Sequence, residues 1–209
     1  MQEILNNLEG MEIDEAAAEV NDAEWPMFMR TDETQEFAPS SEVQAAEIRE
    51  AFLDIPELRY ENWVELNGEQ RVAALNELEQ QVAEIAMRDP MDVQMAVFEK
   101  DTLMGTFDGT TLRIADHSLM DNSYDGYTET LNTLLHEGRH AYQDYNLYVE
   151  RVEQSQELVD SWKVNNVDLG YDNGDRLIFK DRGYLEYYTQ PVEVDARVFA
   201  ETVINELGL

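Results

Sequence analysis

Apolar positions along the first half of the main body fall on helical faces. From Ser41, the residues Val43, Ala46, Ile48 and Phe52 form one broad apolar face, and Pro56 ends the run. A second helix is expected from about Asn67 to Arg88. There Val72, Leu75, Leu78, Val82, Ile85 and Ala86 recur at helical spacing, and Asp89-Pro90 stops them. Trp63 and Leu66 lie just ahead of it and are expected to pack on its first turns. The period then shortens. Residues 92–99 are rich in apolar and β-branched side chains, and the stretches 102–107 and 110–115 flank Asp108-Gly109, a strong signal for a two-residue hairpin.

After the polar loop 121–126 a long helix is expected from near Thr128, carrying Leu131, Leu134, Leu135 and Ala141. Helical character continues, with a break, to about Trp162. Residues 169–183, rich in Gly, Asp and Asn, read as a long connection. Thr189-Gln190-Pro191 opens a last helix, with proline suited to the first helical position, and Val194, Val198, Phe199, Val203 and Ile204 follow. The pattern predicts an α+β fold in which helices precede a small antiparallel sheet and two further helices. It divides the chain into a partly disordered extension (1–40) and one domain (41–209), of which 41–90 is helical and 91–209 carries the chemistry.

Charge narrows the classes of function. The 209 residues hold 46 acidic and 14 basic side chains, a formal net charge of −32. Phosphate contacts to nucleic acid and docking on an anionic membrane are both disfavoured by that excess. The first 50 residues hold 14 Asp/Glu against 2 Lys/Arg, with Trp25-Pro26-Met27-Phe28-Met29 as an apolar island among them. The acidic excess reads first as a solvated surface, then as a preference for basic peptides, then as mimicry of nucleic acid toward a DNA-binding partner. No apolar run approaches the roughly 20 residues that span a bilayer, and the start lacks the basic and apolar regions of a classical signal peptide. A cytoplasmic location, or export by a non-classical route, is therefore expected. There is no cysteine, which removes disulfides, thiol catalysis and Cys-ligated metals together.

Metal ligands, if present, must then be histidine and carboxylate, and one segment supplies them. His136-Glu137-Gly138-Arg139-His140 places two imidazoles at i and i+4, one above the other on a helix face. Glu137, about 100° round the helix, can reach a water beside the ion without ligating it. Two neutral histidines, a base beside the water and an open coordination position are what metal-assisted hydrolysis requires. With 3 His and 28 Glu in 209 residues, shuffling yields the pattern in about 0.4% of sequences, so chance competes weakly.

A His-Glu-x-x-His helix with strands before it and a further helix after it resembles the zincin class of zinc metallopeptidases, over residues 91–209. The resemblance implies a zincin-like domain, one Zn2+ per chain and hydrolysis of peptide bonds in a peptide or protein substrate, with Glu137 as general base. Metzincins place a third histidine soon after the motif, but no histidine follows His140 here. The third ligand is then a carboxylate from a later element, as in the gluzincin-like branch. Glu193, in a Glu-x-x-Ala pattern ending at Ala196, is the leading choice, and Asp195 is the alternative.

Members of such families commonly carry Asp or Asn after that alanine to orient a ligand histidine, where this chain has Arg197. A substitute for that carboxylate must come from elsewhere, with Asp144 and Glu201 as candidates. Donors to the transition state are sought among Tyr184, Tyr187, Tyr188 and His117. The strand at 110–115 is expected at the sheet edge above the metal helix, where an extended peptide can add by main-chain hydrogen bonds. The rival reading is a catalytically silent zincin scaffold serving as an acidic protein-binding or DNA-mimic module. A third combines them, with the N-terminal extension covering the cleft until it is displaced.

Overall fold

The computed structural model describes residues 35–164 and 187–209, so the apolar island at 25–29, the connection at 169–183 and Tyr184 lie outside the described residues. Residues 36–209 form one unit. Its elements are α1 (Ser41–Leu53), a 3-10 turn (Pro56–Leu58), α2 (Tyr60–Trp63), α3 (Gly68–Ile85), β1 (Asp92–Ala96), β2 (Gly105–Phe107), β3 (Thr111–Ala115), α4 (Asp116–Leu119), α5 (Tyr124–Tyr148), α6 (Gln156–Lys163) and α7 (Pro191–Leu207). The described residues are thus α+β, as the pattern predicts.

Local chemistry sets most of these boundaries. Asn67 caps α3 in a reciprocal box: its Oδ1 accepts from the Gln70 N–H, and the Asn67 N–H donates to Gln70 Oε1, each at 3.0 Å. That helix ends at Ile85 rather than at the expected Arg88, because Met87 takes a left-handed conformation (φ 54°). The Met87 N–H then donates to Glu84 O (3.1 Å) and the Arg88 N–H to Ala83 O (3.0 Å), a Schellman closure that turns Arg88 back under the fold. Ser123 caps α5, accepting from the Gly126 N–H at 3.0 Å, so this helix begins four residues before the expected Thr128. The break foreseen before Trp162 falls between α5 and α6, where Ser155 starts α6 by accepting from the Leu158 N–H. Pro191 opens α7 in its first turn, and Gly208, at φ 75°, closes it.

The sheet departs from expectation in three ways. It is mixed rather than antiparallel: β1 pairs with β3 in parallel, and β2 pairs with β3 antiparallel. The spatial order is β1-β3-β2, so β3, expected at the edge as 110–115, is the central strand and β2 is an edge. The reason is long range, since β3 pairs with β2 through a local hairpin on one side and with the sequence-distant β1 on the other. Finally, the pairing of Phe107 with Leu112 makes Gly109-Thr110 the two turn residues, one position beyond Asp108-Gly109. Gly109 supplies the positive φ (94°) at the first turn position, while the Asp108 carboxylate accepts from the N–H groups of Thr110 and Thr111.

The main core lies where α1, α3, the sheet, α5 and α7 converge, around Ile48, Leu75, Leu78, Val93, Leu112, Ile114, Leu134, Leu135, Phe199 and Val203. A smaller cluster, with Ala86, Tyr142, Val159, Trp162 and Val192, backs the far end of α5. Trp63 is fully buried beneath the guanidinium of Arg71, 5.0 Å from its ring centroid, which places it on the first turn of α3 as the pattern predicts. The longest helix, α5, packs along α7, where Ala196 and Ala200 are completely buried. No helix among the described residues is long and apolar enough to cross a membrane.

Candidate metal centre

Helix α5 presents His136 and His140 on one face, and α7 brings Glu193 to meet them. His136 Nε2 lies 3.1 Å from His140 Nε2 and 3.4 Å from Glu193 Oε2, and His140 Nε2 lies 3.3 Å from Glu193 Oε1. Bonds of about 2.0–2.1 Å from these donor types give a tetrahedron whose edges are about 3.3–3.4 Å. The separations are close to that edge length, with the two imidazoles facing different oxygens of the one Glu193 carboxylate, so donor atoms of all three residues converge on one small space. Among the described residues this is the one group of three His, Asp or Glu side chains close enough to hold a metal ion together. The group can hold a metal ion.

Glu193 is 1% exposed, and its position in the first turn of α7, just after Pro191, sets a carboxylate where free N–H groups favour negative charge. Asp195, the alternative ligand, is committed elsewhere. Its carboxylate takes a two-pronged bond from Arg139, with Nε to Oδ2 at 2.9 Å and the second guanidinium nitrogen to Oδ1 at 3.1 Å.

Electrostatics at the centre reflect four ionisable groups sharing a small space. Burial works against charge on His140, but its hydrogen bond to Glu193 and the charges of Glu137 and Glu193 outweigh it, and its pKa is pushed up to about 9. For Glu137, burial raises the pKa above the usual carboxylate range and Glu193 adds to the rise, while the two imidazoles and the Phe107 N–H pull it back. Strand β2 lies against this part of α5, since a Cβ built on Gly105 meets Glu137 Cγ at 3.2 Å.

The remaining sequence candidates are dispersed. Neither Asp144 nor Glu201 is the partner of His140 Nδ1; that atom lies 2.9 Å from Gln143 Oε1. Glu201 is exposed on α7. His117 sits on the short helix α4, outside the metal group, with Nδ1 3.9 Å from Asp116. Tyr187 accepts the Gln190 N–H through its carbonyl ahead of α7. Tyr188 is linked to the group through Arg197, whose guanidinium stacks 3.6 Å from the Tyr188 ring centroid, bonds its carbonyl, and reaches to 3.9 Å from Glu193 Oε2. Gln143 and Arg139 were not among the expected site residues. Gln143 was in principle legible, since it stands three residues after His140 and so shares its face. Arg139 becomes a site residue only through contact with Asp195 on another helix.

The chain matches no protein-family model, no curated protein and no solved structure. The chemistry of the centre accordingly rests on its own geometry.

Proposed function

We propose that the protein is a zinc-dependent peptidase, with His136, His140 and Glu193 as the metal ligands and Glu137 as general base. The observation that carries this reading is the convergence of the two imidazole Nε2 atoms and the Glu193 carboxylate, at 3.1–3.4 Å, beside an intact glutamate. Two imidazoles and one carboxylate with a fourth position open is the donor set of a hydrolytic rather than a structural zinc site. Bound there, zinc supplies Lewis acidity toward the scissile carbonyl and the attacking water.

The protein's own groups perform the rest. Glu137, its carboxyl pKa raised by burial, takes the proton of the attacking water and delivers it to the leaving amine. An extended substrate is aligned by β2. Met104 and Asp108 use their backbone groups to bond β3, so the alternating pattern turns those of Gly105 and Phe107 away from β3, and the Phe107 N–H is engaged by the Glu137 carboxylate. Among the described residues β2 is an edge that runs past Glu137, and the Gly105 N–H and the carbonyls of Gly105 and Phe107 are the groups proposed to bond a peptide. Tyr188, held beside the centre by Arg197, is the candidate donor to the developing oxyanion.

The test is metal content by native mass spectrometry together with hydrolysis of a mixed peptide library. Wild type is expected to carry about one zinc per chain and to cleave. His140→Ala is expected to lose both, and Glu137→Gln to keep zinc and lose cleavage. The net charge of −32 favours the second reading, an acidic binding module on a silent scaffold. Zinc bound without cleavage by wild type would favour that module, and a chain that takes up no zinc would end the metal reading.

A further inference from the structure

Resting on the metal-site reading, we infer that Gln143 is a positioning residue that fixes His140 with its proton on Nδ1, and that Asp195, clamped by Arg139, holds the Gln143 amide in the orientation this requires.

The argument turns on which groups can donate. The Gln143 side-chain nitrogen lies 2.9 Å from the carbonyl oxygen of Val192 and 2.8 Å from Asp195 Oδ2. A carbonyl and a carboxylate can only accept, so both of the amide's N–H donors are directed at them. A flipped amide would set its oxygen against two acceptors. Oε1 is therefore the atom that faces His140 Nδ1 at 2.9 Å, and it too can only accept. Nδ1 must carry a proton. In the neutral ring needed to bind a metal, the lone pair then belongs to Nε2, the atom that faces His136 and Glu193.

Nothing in this relay is free to turn. Gln143 and Arg139 are each 1% exposed. Arg139 lies against the faces of Tyr142, Phe199 and Trp162, with ring centroids 4.5, 4.7 and 5.5 Å from its central carbon. Its fork holds both oxygens of Asp195. Asp195 stands two residues beyond Glu193, and Arg139 stands between the two histidines. The same contact that orients Gln143 therefore also fixes α7 against α5, and with it the third ligand against the first two. Arg197 occupies the place where a carboxylate was expected after Ala196, and the relay carries out that orienting task from a different pair of residues.

The test uses the full chain and zinc itself, with affinity read by competition against a chromophoric chelator. Gln143→Leu is expected to weaken zinc binding about 10- to 100-fold, the usual consequence of removing a partner of a ligating histidine. Gln143→Glu sets two carboxylates against each other and weakens it as well. In zinc-loaded wild type, long-range 15N–1H correlation spectra are expected to show His140 with a protonated Nδ1 and a metallated Nε2. Unchanged zinc affinity in Gln143→Leu, or a metallated Nδ1, overturns the relay alone. Should Gln143→Leu not fold, the wild-type spectra decide, because a metallated Nδ1 of His140 overturns the relay without any variant. A wild-type chain that binds no zinc overturns the metal reading and the relay together.

Discussion

Replacing Gly105 with alanine is expected to separate β2 from the metal helix, and the structure gives the size of the effect. A Cβ at this position would stand 2.4 Å from Thr133 Cγ2, 2.9 Å from the backbone oxygen of Arg113 and 3.2 Å from Glu137 Cγ. Comfortable carbon contacts are about 3.5–4.0 Å, so the strand must yield by about an ångström or more. The φ of Gly105 is not positive, so backbone strain does not confuse the result. Thr133 can turn its side chain. Arg113 cannot move its carbonyl without disturbing β3, the strand that holds both neighbours. Overpacking of this kind costs about 1–3 kcal/mol, or about 2–12 °C of Tm in a chain of this size. Calorimetry of wild type and variant measures it. Glu137 moves with the strand, and misplacement by about 1 Å can cost about 100-fold in rate, so kcat/KM for a cleaved peptide is expected to fall more steeply than stability. Thr133→Ser, which removes the Cγ2 methyl, is expected to restore part of the stability of Gly105→Ala, leaving the contact with Arg113. A Gly105→Ala protein with unchanged Tm and unchanged kcat/KM would refute the close approach of β2 to α5.

Other outcomes follow from separate features. Arg88 and Glu79 form a fully buried pair, bonded at 2.6 and 2.9 Å beneath Gly138, and Arg88→Met is expected to leave an unpaired buried charge and cost about 3–5 kcal/mol by denaturant titration. Asn67→Ala removes the α3 cap and is expected to cost about 1 kcal/mol in the same assay. In the ion-free chain the His140 pKa lies near about 9, so zinc must displace a proton below that pH. Calorimetric titration in buffers of different ionisation enthalpy is expected to show proton release at pH 7, with affinity rising as pH increases toward 9. Binding at pH 7 without proton release would contradict the hydrogen-bonded state of His140.

Much of this protein is written in short-range pattern. The helices after Asn67 and at Pro191 begin where a capping residue and a proline place them, because a cap acts on N–H groups only two or three residues away. His136 and His140 share a face for the same reason, since one helical turn joins them. The turn after β2 was foreseen to within one residue, because glycine alone takes its positive φ without strain. Past that range the pattern is silent. Whether Glu193 or Asp195 meets the histidines depends on how α7 lies along α5, a matter of packing between segments more than 50 residues apart. A carboxylate partner was sought for a ligand histidine, and for His140 the structure supplies an amide whose direction is set by Asp195 and Arg139 from outside its own turn. The exchange of β3 and β2 between centre and edge has the same origin, because period-two alternation marks a strand's faces but not its neighbours. Local backbone chemistry thus determined which elements form and which two histidines pair, while long-range packing decided which carboxylate meets them, the residues that hold it there and the strand that lies beside them.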